Sequence, residues 1–344
     1  MRTNTPAKTR TGTDRHGDTY VEAVIPRIAS QRIRVDRALK RDALDAALAM
    51  ARADTGFLSM RNAIFDEMEA RATSAMEGLY GQLSRERAAR AHALLVKSGD
   101  QTNLDLNAAH AILLEGDSHL SPGTVRDVPV WIGGLTRASA AYVPPSADRV
   151  PALLADLDLY VQDMTGNPVV RAVVAHAQFE SIHPYRDGNG RIGRSLTSAV
   201  LRRNHVTLYA RFPISVGLMH RKREYIEGLI AFRGGDASPL IRLHVEAIHD
   251  TLASVAWVTE QLRVIRERWE DALSGVRSDA LARTVIPRII ARPRVALTDI
   301  VSGGASQAAG YNAISTLETA GILVREHGGW AVPEVEAAIT RAVC

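Results

Sequence analysis

Apolar positions along the chain recur mostly at helical spacing. In DRALKRDALDAALAMARA (residues 36–53) Leu39, Ala43, Ala46 and Ala47 share one face, and a second helical run, MRNAIFDEMEARATSAMEGLYGQL, follows a break at Thr55-Gly56. Between Gly116 and Pro145 glycines and prolines flank short β-prone runs such as Val128–Ile132, the outline of a hairpin or flap. NPVVRAVVAHAQFESI (residues 167–182) is apolar around its whole circumference, which predicts a buried central helix. Pro168 suits its first turn, and His183-Pro184 ends it, because the residue before proline is pushed out of the helical region. A new helix begins near Gly190 with Ile192, Leu196, Ala199 and Val200 inward, and helical pattern continues to about residue 273.

Beyond about Ser278 the pattern changes again. RVALTDIVS and SQAAGYNAISTLETAGILVREHGGWAVP read as two short helices, a strand, a turn at His327-Gly328-Gly329 and another strand, which outlines a winged-helix module. No internal repeat is evident. The expected layout is mainly α: a disordered basic tail over residues 1–20, a helical N-terminal unit over 21–110, a helical core with a β-hairpin flap over 111–272, and a small winged-helix domain over 278–344.

Composition narrows the setting. Lys and Arg total 42 against 38 for Asp and Glu, a net charge of +4 spread along the chain, which argues softly for an anionic partner and suits a nucleotide as well as a nucleic acid. The single cysteine is Cys344, so an intrachain disulfide and a cysteine zinc site are excluded. No apolar run reaches the roughly 20 residues of a membrane span, and the start lacks the apolar middle of a secretion signal. The expectation is a cytoplasmic protein with no membrane partner.

The candidate chemistry lies in one stretch, SIHPYRDGNGRIGRS (residues 181–195). Asp187-Gly188 and Asn189-Gly190 are turn dipeptides, and Arg191 and Arg194 share a face at the start of the next helix. Gly188 and Gly190 free backbone N–H groups to cradle an anion at a helix N-terminus, and two arginines add bidentate contacts to phosphate oxygens. Asp187, in so cationic a setting, suits Mg²⁺, which takes one or two carboxylates plus phosphate oxygens. Asn189 holds an oxygen without adding charge, and His183 accepts a proton near neutral pH. The set describes nucleotidyl or phosphoryl transfer to a hydroxyl.

Rival readings fail on particular residues. GNGRIGRS fits the spacing of a P-loop, except that Arg194 stands where lysine is required and the preceding segment reads as helix. DGNGR resembles the start of an EF-hand, but Ile192 occupies the obligatory glycine position and Ser198 that of the bidentate glutamate. A plain glycine-rich connection with solvated arginines explains any two of these residues but not all of them.

HPYRDGNGRIGR resembles the signature of Fic-domain proteins, with Tyr185 where phenylalanine is usual. VWIGG with AAYVPP (Val130 to Pro145) is similar to that family's flap, and REYIEGLIAFRGGDASP to the segment closing its nucleotide pocket, so the likeness spans about Ile25 to Pro333. It implies AMP transfer from ATP to a Ser, Thr or Tyr hydroxyl of a protein, the chain itself included. It implies His183 as base, Asp187 as the Mg²⁺ ligand, Asn189 on the α-phosphate, Arg191 and Arg194 on the phosphate tail, and Tyr225 near the base of the nucleotide. Gly190 favours AMP transfer over phosphorylation, because the phosphorylating relatives carry lysine there. The Tyr185 hydroxyl then needs a partner.

TSAMEG (Thr73 to Gly78) reads by itself as a solvated glutamate near a helix end. The resemblance implies more: an inhibitory helix, with Thr73 and Gly78 framing Glu77, whose carboxylate pairs with Arg194 and competes with nucleotide. In some relatives such a glutamate supports AMP removal instead. His176 reads as a satisfied core histidine, and Trp131 as flap packing or target contact. A DNA-binding or adaptor regulator whose loop senses nucleotide is the rival class. The presumed second helix of the C-terminal module, SQAAGYNAISTLETAG, has no Lys or Arg, which favours partner docking or a homodimer contact over DNA.

Overall fold

A computed structural model describes residues 4–13, 17–56 and 62–343. The chain divides into two compact units, Met1–Phe57 with Glu69–Thr251 and Leu58–Met68 with Leu252–Cys344. Residues 69–110 of the helical N-terminal segment fall in the first unit with most of the core, while residues 62–68 and 252–272 fall in the second.

In the first unit, strands β1 (Lys8–Thr13) and β2 (Thr19–Val24) form an antiparallel hairpin, paired from Lys8↔Val24 to Thr13↔Thr19. This corrects the disordered tail expected over residues 1–20, of which residues 1–3 and 14–16 lie outside the described residues. Threonine, valine and tyrosine are good strand formers, and the hairpin is anchored far away in sequence, where Ala7 N–H donates to Arg233 O at 2.8 Å and Ala23 N–H to Val143 O at 2.9 Å. Local composition carries no trace of those anchors.

The helices follow as α1 (Arg37–Gly56), α2 (Asn62–Met76), α3 (Gln82–Ser98), α4 (Leu106–Leu113), α5 (Val150–Gln162), α6 (Pro168–Ile182), α7 (Asn189–Arg203), α8 (Ser215–Met219), α9 (Lys222–Arg233) and α10 (Ser238–Ala272). Every residue of α6 from Val169 to Ile182 is buried, as its all-round apolar sequence predicts. Helices α1, α5, α7 and α9 pack on it, while α3 and α4 pack on α7. Asn167 caps α6, its side chain accepting from the N–H groups of Val169 and Val170 at 3.0 and 3.1 Å, with Pro168 in the first turn.

The predicted flap is thinner than a ladder. Ile132 and Tyr142 exchange backbone hydrogen bonds of 2.9 and 3.1 Å, and Glu22 and Val143 form a parallel bridge. Gly133 and Gly134 at φ +68° and +77°, with Pro129 on one side and Pro144-Pro145 on the other, keep the pairing from spreading.

The second unit continues α10 from Leu252 and adds α11 (Leu281–Thr284), α12 (Ile286–Ile289), β3 (Arg294–Val295), α13 (Leu297–Val301), α14 (Gln307–Thr319), β4 (Val324–Glu326), β5 (Gly329–Ala331) and α15 (Pro333–Val343). The sheet order is β3-β5-β4, antiparallel throughout. Strands β4 and β5 flank a turn at His327-Gly328, with Gly329 of the predicted turn opening β5; β3 is too short for a period to reveal it. Among the described residues no helix is long and apolar enough to cross a membrane.

Candidate active site

The loop between α6 and α7 begins at His183, the C-cap of α6, held in the left-handed region at φ 51°, ψ 63°. A non-glycine residue seldom adopts that conformation, and it persists only where its surroundings impose it. Pro184 denies the helical alternative. Arg126 supplies the clamp: its Nε donates to His183 O at 2.8 Å, its Nη2 to Pro145 O at 2.5 Å and Ile182 O at 3.4 Å, its Nη1 to Val128 O at 3.2 Å, and its backbone N–H to Pro184 O at 2.9 Å. Burial lowers the Arg126 pKa to about 10, so the guanidinium stays charged at neutral pH. Nothing local in the sequence marks this residue. Arg126→Met removes the only charged donor from four carbonyls and is expected to destabilise the protein by about 3 kcal/mol in urea unfolding.

Asn189 closes the loop. Tyr185 N–H donates to Asn189 Oδ1, and Asn189 Nδ2 donates to Tyr185 O, both at 2.9 Å. Its carboxamide oxygen is therefore committed to the loop, and the second Nδ2 hydrogen is what remains for a phosphate. Tyr185 is buried, with its hydroxyl donating to Asn107 Oδ1 at 2.8 Å. That is the partner its substitution for phenylalanine requires. Its ring stacks on His110 at 3.8 Å. His110 accepts from Gly123 N–H at Nδ1 (2.9 Å), so it is the neutral Nε2–H tautomer and donates to Asp187 O at 3.1 Å. Asn107 and His110, both on α4, thus position the loop, and the sequence reading missed them.

The loop ends at Gly188, φ +76°, where a side chain would strike Leu113, and α7 starts at Asn189. Arg191 is buried and reaches Asp187 Oδ2 at 3.6 Å. Asp187 also accepts from Gly188 N–H at 2.6 Å, and its side chain remains 55 % exposed. A half-exposed carboxylate beside Arg191 fits a cation carried in with phosphate oxygens. Among the described residues no cluster of three metal-binding side chains exists.

Arg194, the second arginine, is fully enclosed. Its Nε donates to Thr73 Oγ1 at 2.8 Å, and its Nη2 to Thr73 O at 3.1 Å and Glu77 Oε1 at 2.7 Å. The Glu77 carboxylate lies over Gly190, where any side chain would collide with it. It therefore sits on the N-terminus of α7, the place a phosphate would take. Partial burial raises the Glu77 pKa, but Arg194 outweighs that and holds it below the usual 4.5. Gly78 at φ +73° ends α2, with Leu79 N–H donating to Ser74 O at 2.9 Å and Lys222 Nζ to Met76 O at 2.5 Å. The structure thus brings Thr73, Glu77 and Gly78 to the loop.

Tyr225 is 5 % exposed, and its hydroxyl meets His176 Nε2 at 2.9 Å, with Arg194 above its ring, so it supports Arg194 from beneath. His176 is the core histidine its buried helix predicts. Burial, reinforced by the charges of Arg233 and Arg126, lowers the His183 pKa to about 4, so its ring is unprotonated at neutral pH and a weaker base than free imidazole. Glu180, one turn earlier on α6, is buried, which raises its pKa to about 7.

Residues 101–201 match the model of the Fic/DOC family. A protein adenylyltransferase Fic from Culex quinquefasciatus is 27% identical over 175 residues, 50% of this chain and 32% of that protein. The protein adenylyltransferase fic-1 of Caenorhabditis elegans is 28% identical over 150 residues, 43% of this chain and 28% of that protein. The chain thus spans about a third of the length of the curated relatives it matches. Among solved structures, a Fic family protein from Desulfovibrio desulfuricans G20 superposes with a TM-score of 0.55 at 20% identity, covering 86% of this chain and 93% of that one, a likeness of fold. The family match contains the loop with Asn107, His110 and Arg126; Glu77 lies outside it.

Proposed function

The chain is a Fic-domain protein, and from that premise we propose that it transfers AMP from ATP to a hydroxyl of a protein and is held at rest by Glu77. The observation that carries this reading is the placement of Glu77 on both Arg194 and Gly190, the two elements best suited to a phosphate. His183 takes the proton of the attacking hydroxyl. The hydroxyl oxygen bonds to the α-phosphorus, the bond to the β-phosphate oxygen breaks, and pyrophosphate leaves. Arg191 and Arg194 hold the phosphate tail, Gly188 and Gly190 offer backbone N–H groups, and the free Nδ2 hydrogen of Asn189 faces the same anion. Mg²⁺ bound at Asp187 would neutralise phosphate charge.

The order of helices and strands in the second unit supports a winged-helix reading. Helix α14 carries no Lys or Arg, which favours protein docking over DNA.

Glu77→Gly removes the competing carboxylate. Because Glu77 is 40 % exposed, the pair lies at the weaker end of charged hydrogen bonds, and AMP transfer is expected to rise by about tenfold or more. Incubation with labelled ATP and Mg²⁺, followed by mass spectrometry of the intact protein, reads both rate and chemistry. Equal labelling of wild type and variant removes the brake; a phosphate adduct in place of AMP removes the reaction.

A further inference from the structure

A cavity of about 390 Å³ lies between hairpin β1–β2 and the residues around Ala140–Val143, with Arg233 of α9 in its wall. It adjoins the active loop. Tyr142, also in its wall, donates its hydroxyl to Ser181 O at 2.7 Å in the last turn of α6, and Arg233 Nη2 reaches Glu180 O at 3.4 Å. Three lining residues are cationic, Lys8, Arg137 and Arg233, and no carboxylate lines the cavity among the described residues.

The wall is built to keep these charges in place. Arg137 stacks on Tyr20 at 4.0 Å and Arg233 on Tyr142 at 3.7 Å. Tyr20 lies flat across β1 only because its cross-strand partner is Gly12, where any side chain would enter the ring. Stacking fixes each guanidinium plane while leaving its N–H edge for a ligand. The Nε atoms of both arginines are buried without a hydrogen-bond partner, and buried donors of that kind ordinarily have one.

Backbone of two segments borders the cavity. Strand β2 reaches Val143 only at its far end, through Ala23 N–H, so Thr19–Val21 and Ala140–Ala141 border the cavity on opposite sides beyond the bridge. Backbone edges of this kind recognise a peptide by main-chain hydrogen bonds, with pockets reading alternate side chains. A cavity of this size admits a few side chains and is too small for a nucleic acid duplex.

We propose that this cavity holds an acidic segment of the protein whose hydroxyl receives AMP, with Lys8, Arg137 and Arg233 taking its carboxylates. The inference rests on the AMP-transfer reading for the identity of its ligand. It makes these residues determinants of target choice, separate from the phosphate-binding loop.

The test uses two fluorescein-labelled peptides with a central threonine, one flanked by Asp and Glu, the other by Lys and Arg. Anisotropy without ATP measures binding to the full chain, and kinetics in the Glu77→Gly protein measure transfer. The acidic peptide is expected to bind about tenfold or more tightly than the basic one at low salt. Arg137→Glu abolishes that preference and raises KM for the acidic peptide with kcat unchanged, and Arg137→Gln gives an intermediate loss; melting temperature reports whether each variant is folded. Acid-selective binding without AMP transfer supports the cavity and sinks the transfer reading. Transfer without acid selectivity, selectivity that survives Arg137→Glu in a folded protein, or tighter binding of a single-stranded oligonucleotide each overturns the cavity proposal.

Discussion

In a Glu77→Gly background, His183→Ala is expected to slow AMP transfer by about 10²- to 10⁴-fold, the usual contribution of a positioned general base. The imidazole is neutral because burial and two neighbouring guanidiniums lower its pKa to about 4, so nearly every molecule at neutral pH holds the base in its active form. The backbone complicates alanine, since His183 sits at φ 51°, where a Cβ is strained. His183→Asn answers that difficulty: asparagine tolerates the left-handed region but cannot take the proton. Both variants should lose the same activity while retaining ATP affinity by calorimetry, because the phosphates are assigned to the arginines and the α7 N-terminus. A His183→Asn protein with undiminished rate would remove the imidazole from the reaction.

Acid should unfold this protein early. Burial lowers the pKa of His92 to about 3 and of His183 and His244 to about 4, and that of His176 well below the ordinary 6.5; neighbouring charges add to the shift at His92, His176 and His183. A histidine with a depressed folded pKa is neutral in the fold and protonated in the unfolded chain. Its contribution to stability is therefore present above pH 6.5 and is lost as pH falls toward its folded value. Glu180 acts oppositely. Burial raises its pKa to about 7, so its contribution is present below 4.5 and is lost as pH rises through 7. These four histidines, with Glu180 opposing, leave the unfolded state about three protons richer near pH 5, and His110, whose pKa burial also lowers, acts in the same direction. At about 1.4 kcal/mol per proton per pH unit, stability should fall by roughly 3–4 kcal/mol between pH 5.5 and 4.5. Urea unfolding at a series of pH values reads this directly, and a flat stability curve from pH 7 to 5 would show that these rings remain hydrated. Replacing His92, whose Nδ1 lies 3.1 Å from Ser195 Oγ, by glutamine should relieve part of the slope.

Much of the catalytic half was legible because its signals are local. The burial of α6, its cap at Asn167-Pro168, its stop at His183-Pro184 and the glycine-built start of α7 each depend on residues within a turn of one another, and each appears in the structure where the pattern puts it. Residue type alone was likewise enough to suggest a base, a phosphate cradle and a cation ligand. Family resemblance was needed for Glu77, because nothing in TSAMEG distinguishes a carboxylate facing water from one facing Arg194, 117 residues later.

What joined distant segments was decided by the tertiary structure alone. Arg126 is one arginine among many until the fold sets it against four carbonyls, and Asn107 is an ordinary helix asparagine until the Tyr185 hydroxyl arrives beside it. Tyr225 is an ordinary helix tyrosine in sequence until the fold buries it beside His176 and Arg194. The amino-terminal hairpin was read as a tail because its composition is polar, whereas its order comes from anchors on α9 and at Val143. Short-range stereochemistry is written in adjacent residues; charge pairing and burial depend on which surfaces the folded chain brings within a few ångströms of each other.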